Sequence, residues 1–245
     1  MPVNAVFKRP FDEQVAFFRG KLGNLIPTEK WTDVWKSAHD TGFMVAGAAK
    51  ADLLSDFAAA VDRAISEGKS LQAFRKDFDA IVDKHGWSYR GEYNWRTRTI
   101  YRTNVATSYA AGRLAQLKDG GFTHWMYRHS DSVASPRPLH MSWNRLALPA
   151  DDPWWNSHYP PNGWGCKCYV VGVSRAAGER IGGRFEPAPD DGVEPDGRPK
   201  GIDKGWDYQP GATAVEQVRK ALAEKLPNLP EPLAIKLKRD LERGE

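Results

Sequence analysis

Residues 151–168 read DDPWWNSHYPPNGWGCKC, and the reading of this segment decides how the rest of the chain is understood. It is too rich in proline and glycine to be a helix, and too rich in aromatics to be a flexible linker. The expectation is an ordered, irregular loop packed by its own side chains. Trp154, Trp155 and Trp164 supply the buried area. Pro160 and Pro161 fix the chain direction, while Gly163 and Gly165 permit tight turns. His, Asn and Asp side chains offer partners for backbone groups that no ladder satisfies. The loop runs into Tyr169-Val170-Val171-Gly172-Val173, a short β-branched run that reads as a strand.

Working outward, the stretch from Trp125 to Val173 holds five of the ten tryptophans, three of the six histidines and both cysteines. Chemistry and packing are therefore concentrated there. At its start, Phe122 to His129 alternates as a strand does, with Trp125, Tyr127 and His129 on one side. Together with the strand at 169–173 it predicts a small antiparallel sheet. Upstream the period changes to that of helices. Phe11, Val15, Phe18 and Leu22 share one face. Trp31, Val34, Trp35 and Ala38 repeat at helical spacing after a candidate N-cap at Thr28. Leu53, Leu54, Phe57, Val61 and Ile65 form an amphipathic stripe that stops at Gly68. Leu71, Phe74, Phe78, Ile81 and Val82 form another, capped by Ser70 and ended by Gly86. A further helix is expected from about Trp95 to Leu117. Its apolar stripe is weak and its arginines (Arg96, Arg98, Arg102, Arg113) are interleaved with Thr, Ser and Asn. They read as a solvated face whose stems cover neighbouring apolar surface, with phosphate or an acidic partner as the alternative.

Beyond a short helix near Ser174–Ile181 the composition shifts. Residues 184–211 carry seven acidic side chains and five prolines with little apolar content, and read as a loop or extended arm. A capping box at Thr213 and Glu216 opens a helix with Val215, Val218, Leu222 and Leu226. Pro227 to Pro232 separates it from a last basic helix bearing Leu233, Leu237 and Leu241. The fold class is therefore α+β. It comprises a helical N-terminal region (residues 1–90), a mixed domain with a small antiparallel sheet and the Trp-rich loop (91–182), and an acidic arm with C-terminal helices (183–245).

Composition narrows the class. Charged residues at 27% and hydrophobics at 41% are those of an ordinary soluble globular protein. The net charge of +4 permits contact with nucleic acid, but the basic residues are scattered rather than blocked. The longest apolar stretch, Phe43 to Ala49, is too short to cross a bilayer, and no leader pattern is visible. Two cysteines at C-x-C spacing make a poor disulfide framework, so a reducing, cytoplasmic setting is expected.

Three chemistries compete with a purely structural role for the loop. Cys166, Cys168, His140 and His158, with His129 as a substitute, would make a tetrahedral structural zinc site, although the spacing is not that of the common zinc modules. Cys166 or Cys168 activated by His140 or His158 would make a nucleophile, with Lys167 favouring the thiolate. His129, His140, Arg137 and Asp151 would serve as acid and base on a phosphodiester. No oxyanion hole, phosphate loop, H-E-x-x-H or G-x-S-x-G is present. The structural reading needs the fewest assumptions, so no catalytic residue is assigned and zinc is the one cofactor considered.

At these residues the chain resembles the phage Mu F-like head morphogenesis (minor head protein) family. The resemblance rests on Arg137-Pro-Leu-His140, on Leu148-Pro-Ala-Asp-Asp-Pro-Trp-Trp155, and on Tyr159-Pro-Pro-Asn-Gly-Trp-Gly-Cys-Lys-Cys168 before a strand. Arg102-Thr103-Asn104 and Ala110-Ala111-Gly112-Arg113 match the family's helix, and PFDEQVAFFRGKL with TEKWTDVW extends the likeness over residues 10–175. Arg102, Arg137, His140, Trp154, Trp155, Pro160, Pro161, Cys166 and Cys168 are the matching positions. The resemblance implies a minor capsid protein of a tailed Mu-like phage or prophage. Such a protein would be found in the virion at the portal vertex or head interior, and in the host cytoplasm during assembly. Its expected partners are the portal protein, then major capsid or scaffolding protein and packaged double-stranded DNA, with no membrane. No enzymatic activity is implied.

Overall fold

The amphipathic stripes become helices where their caps allow. The computed structural model describes residues 11–133, 135–213 and the isolated positions 231 and 235. Helix α1 spans Asp12–Arg19, α2 Ala51–Ser66, α3 Leu71–His85 and α4 Tyr93–Asp119. Ser70 begins α3 by accepting a hydrogen bond from the Ala73 N–H at 3.3 Å, and Gly86 ends it in the left-handed region at φ 57°. Phe18, Phe43, Leu54, Phe57, Val61, Phe74 and Phe78 fill the core these helices share.

One expected helix does not form. The spacing of Trp31, Val34, Trp35 and Ala38 predicted an α-helix, but the chain makes two 3₁₀ turns, Trp31–Asp33 and Lys36–Asp40. The Asp33 carboxylate accepts from the backbone N–H groups of Glu29 and Lys30 at 2.8 and 2.9 Å, closing a local turn in place of a helical one. Lys36 then sits at φ 48°, which breaks the run. Thr28 does not cap; its hydroxyl donates to the Val45 carbonyl at 3.4 Å. The apolar side chains also serve different partners: Val34 is buried, whereas Trp31 packs on Trp35 and on Trp164.

Helix α4 contributes Ile100 to the helical core and Ala110, Leu114 and Leu117 to a second core filled by the Trp-rich loop. Its weak stripe reflects close approach rather than exposure. A Cβ on Gly112 would stand 2.6 Å from the Gln14 backbone nitrogen of α1, and one on Gly211 would stand 2.8 Å from the Ala111 Cβ. The Gln14 side-chain amide donates to the Ser108 hydroxyl at 3.0 Å and to the Val105 carbonyl at 3.2 Å. Of the arginines, Arg98 and Arg102 are exposed as expected. Arg96 is buried instead, donating to the Ala46 carbonyl and lying over the Trp87 ring.

The sheet has three antiparallel strands in the order β2-β1-β3, with β1 His124–Arg128 central, β2 Ala147–Pro149 and β3 Tyr169–Val173 at the edges. Trp125 faces Leu148 on one side and Gly172 on the other. Trp125 and Tyr127 point into the second core, as alternation predicted, and Met126 joins Ala147 and Val173 on the opposite face. Of the segment 151–168 read as irregular, only Trp155–His158 is helical (α6), and the short helix α5 (Pro138–Ser142) and strand β2 precede it, where no element was expected. Helix α7 (Arg175–Arg180) follows β3, with Ser174 accepting from the Ala177 N–H.

Residues 184–211 hold no helix, in line with the arm expected there, yet the arm is not free: Ile202, Trp206 and Tyr208 are buried. At its end Asp40, itself buried, accepts from the Gly211 N–H at 3.0 Å and the Thr213 hydroxyl at 2.7 Å. The expected capping partner Glu216 and the two C-terminal helices lie outside the described residues. Among those residues, no helix is long and apolar enough to cross a membrane.

Candidate functional site

The loop predicted from its aromatics is built around Trp143. This ring stacks on His140 at 5.2 Å, meets Trp154 edge-on at 5.5 Å and meets His158 edge-on at 5.1 Å. Its indole N–H donates to Asp191 of the arm at 2.8 Å. Trp155 donates to the Pro149 carbonyl at 2.9 Å, and the Tyr159 hydroxyl donates to the Ala110 carbonyl of α4 at 3.1 Å. Pro160 and Pro161, joined by a cis bond, carry the chain from there to Asn162. Asn162 has no solvent exposure and accepts the Tyr127 hydroxyl at 2.9 Å. Each polar bond ties the loop to a different element, as a buried irregular segment requires.

The arm closes the loop from outside. Asp203 accepts from Arg137 at 2.5 Å and from the Trp164 N–H at 2.8 Å, while its own N–H donates to the Asn162 carbonyl at 2.9 Å. Gly163 makes this possible, since a Cβ there would stand 2.2 Å from an Asp203 carboxylate oxygen. The Gly201 carbonyl lies 2.8 Å from His140 Nε2. Sequence reasoning missed these arm residues. The signal available was a composition change, which says that a segment lacks its own core but not that it completes another.

The signature positions divide by role. Arg137, His140, Trp154, Trp155, Pro160, Pro161, Cys166 and Cys168 all lie in or against the loop, whereas Arg102 lies on the exposed face of α4. Arg102 lines an open cleft of about 430 Å³ between α4 and the loop, together with Tyr109, Arg113, Lys167, Tyr169 and Trp206.

Of the four residues first grouped as metal ligands, three come together. His140 Nδ1, Cys166 Sγ and Cys168 Sγ lie within 4.8 Å of one another, and all three residues are buried. The cysteines are free. Cys166 shares a hydrogen bond with Cys168, and that contact, reinforced by burial, pushes its thiol up to about 12. The same contact draws Cys168 down to about 7. His158 is not in the group, which corrects the set of four. It stacks on Trp154 at 4.2 Å, its Nδ1 faces the Trp154 carbonyl and the Ser157 hydroxyl, and burial lowers it to about 4. It is near the cysteines in sequence, but α6 sets it against the Trp154 ring, where it meets Trp143 edge-on. His129, the substitute, has its Nδ1 3.5 Å from Cys168 Sγ. Asp151 is exposed, and no bond joins it to His129, His140 or Arg137, so the phosphodiester constellation does not assemble.

An aromatic loop with a buried His/Cys cluster, laid across a long helix and a small sheet, defines an α+β domain of a recognisable kind. Residues 55–171 match the model of the phage Mu protein F-like family. Over 189 residues it is 33% identical to a protein of Escherichia phage Mu named as capsid assembly protein F, covering 71% of this chain and 42% of that one. It is 31% identical over 189 residues to the Mu-like prophage FluMu F protein of Haemophilus influenzae, covering 72% of this chain and 45% of that one. The chain thus spans less than half the length of both relatives. No solved structure matches it. The arm from 184 onward lies beyond the family match, as does the N-terminal segment before residue 55 that the sequence resemblance had included.

Proposed function

We propose that this protein is a head-assembly component of a tailed Mu-like phage or prophage: a minor capsid protein that docks on the portal, acting through binding rather than catalysis. The observation that carries this reading is the similarity to a protein named for capsid assembly, which extends over 71% of the chain. The geometry is consistent with it. The loop's polar atoms are spent on holding the fold, as when Asp203 engages Arg137 and the Gly201 carbonyl engages His140. What faces outward is adhesive surface: Tyr109 and Tyr169 at the cleft, with Trp164, Trp95 and Phe122 elsewhere, are large exposed hydrophobics. Arg102, Arg113 and Lys167 give the cleft a basic lining that suits an acidic partner surface or, transiently, packaged DNA. Major capsid or scaffolding protein would be further contacts.

The test is capture of the portal protein encoded by the same phage, using the full chain, a chain ended after Thr213, and the variant Arg102→Glu with Tyr109→Ala. An earlier truncation, near Ser174, would remove the arm that closes the loop and would confuse folding with docking. Capture by the full chain supports the proposal. Loss in the double variant places docking at the cleft, and loss on truncation places it in the tail. Failure of the full chain to capture portal overturns the portal assignment.

A further inference from the structure

We propose that His140, Cys166 and Cys168 hold a structural zinc-class metal ion, with His129 as its fourth ligand. His140 Nδ1 stands 3.7 Å from Cys166 Sγ and 3.7 Å from Cys168 Sγ, and His129 Nδ1 stands 3.5 Å from Cys168 Sγ. In a tetrahedral shell with metal–sulfur bonds near 2.3 Å and metal–nitrogen bonds near 2.0–2.1 Å, the nitrogen–sulfur edge is roughly 3.6 Å. The two His140 separations match that edge, and His129 meets it through Cys168 alone. Sulfur–imidazole hydrogen bonds alone account for less, because one Nδ1 lone pair accepts one S–H, whereas it faces two sulfurs equally.

The ring is also held in the tautomer a metal needs. His140 Nε2 lies 2.8 Å from the Gly201 carbonyl, so Nε2 carries the hydrogen and Nδ1 presents its lone pair to the sulfurs. A carbonyl behind a ligating histidine is the usual orienting contact at metal centres. The sulfurs are free, and C-x-C spacing resists a relaxed disulfide. Lys167 turns to the other side, donating to the Ser132 carbonyl at 2.8 Å, which leaves both cysteines on one face. Two thiolates and two imidazoles around a divalent ion sum to zero charge, the condition for burying it. Thiolate and imidazole select zinc over calcium or magnesium. A shell closed by four protein ligands marks a structural role. Such an ion would join the end of β1, α5, the approach to β3 and, through Gly201, the arm.

The test uses the untagged full chain purified under reducing conditions without chelator. Metal content is read by mass spectrometry, and cobalt is then exchanged in and the absorption spectrum recorded. The expected result is one zinc per chain, with a cobalt form showing thiolate charge-transfer and tetrahedral ligand-field bands. Cys166→Ser and Cys168→Ser should each weaken metal retention at least about tenfold, while His158→Ala, stacked away on Trp154, retains it. His129→Ala should shift the ligand-field bands as water replaces imidazole. A wild-type chain that holds no zinc and takes up no cobalt overturns the proposal. So do cysteine variants that keep full metal, while an unchanged cobalt spectrum in His129→Ala overturns the fourth ligand. None of these readouts depends on portal binding, so the head-assembly reading can fail while this one stands.

Discussion

Gly163→Ala isolates the contact through which the arm closes the loop. Gly163 does not adopt a positive φ, so the substitution introduces no backbone strain. The added methyl would sit 2.2 Å from Asp203 Oδ2, 2.5 Å from its Cγ and 2.9 Å from an Arg137 nitrogen. Asp203 cannot yield without losing its bonds to Arg137 at 2.5 Å and to the Trp164 N–H at 2.8 Å. Both side chains of the ion pair are about 30% exposed, so water compensates part of the loss. The charge-assisted bonds and the overpacking together predict a destabilisation of about 2 kcal/mol. For a chain of this size that lowers the melting temperature by about 4–8 °C. Urea unfolding followed by tryptophan fluorescence gives the free energy, and trypsin cleavage at Lys200 and Lys204 reports release of the arm. In an Asp203→Ala background the clash is gone, so Gly163→Ala should then cost little. A Gly163→Ala variant as stable as wild type would refute the reasoning, as would an equal cost in both backgrounds.

Gly112→Ala should cost about 1–3 kcal/mol, measured by urea unfolding, because its methyl would strike the α1 backbone at Gln14 2.6 Å away, where no flexible side chain can yield. Asp40→Ala leaves the Gly211 N–H and the Thr213 hydroxyl without their acceptor and should cost about 1–3 kcal/mol, with the arm's end becoming protease-sensitive. Acid should destabilise the chain in part through His39 and His158, both lowered to about 4 by burial. Folded, they stay neutral while the unfolded chain binds protons near pH 6.5, so their contribution is intact above that pH and is lost as pH falls toward 4. For His158 the loss reaches about 3 kcal/mol. With chelator present, unfolding of wild type and His158→Asn between pH 7 and 4.5 should show a shallower fall in the variant; parallel profiles would contradict the assignment.

The helical half of the fold was legible because one-sided burial leaves a period. The stripes of α2 and α3 and the Ser70 and Gly86 signals all appear where the sequence placed them. The segment 31–40 failed because helical spacing is necessary but not sufficient. There Asp33 takes local backbone donors, and Trp31 packs on Trp35 and on Trp164 of the loop rather than into a common core. Strand β2, of three residues, is too short to carry an alternation. The loop's character was legible from its aromatics, since large side chains in an irregular segment must be buried somewhere. The partners within it were not: His140 and His129 approach the cysteines while His158 turns away, and only the three-dimensional path separates them. The arm was invisible as part of the site because its polar contributions come through two carboxylates and one carbonyl, Asp191, Asp203 and Gly201, none of which leaves a pattern.

The most direct measurement of the central claim is made in the phage or prophage that encodes the chain. Its reading frame is deleted, with and without a plasmid-borne copy, and DNA-filled heads are counted by electron microscopy after induction. The account predicts that filled heads are lost in the deletion and restored by the copy. Normal numbers of filled heads without the protein would contradict it.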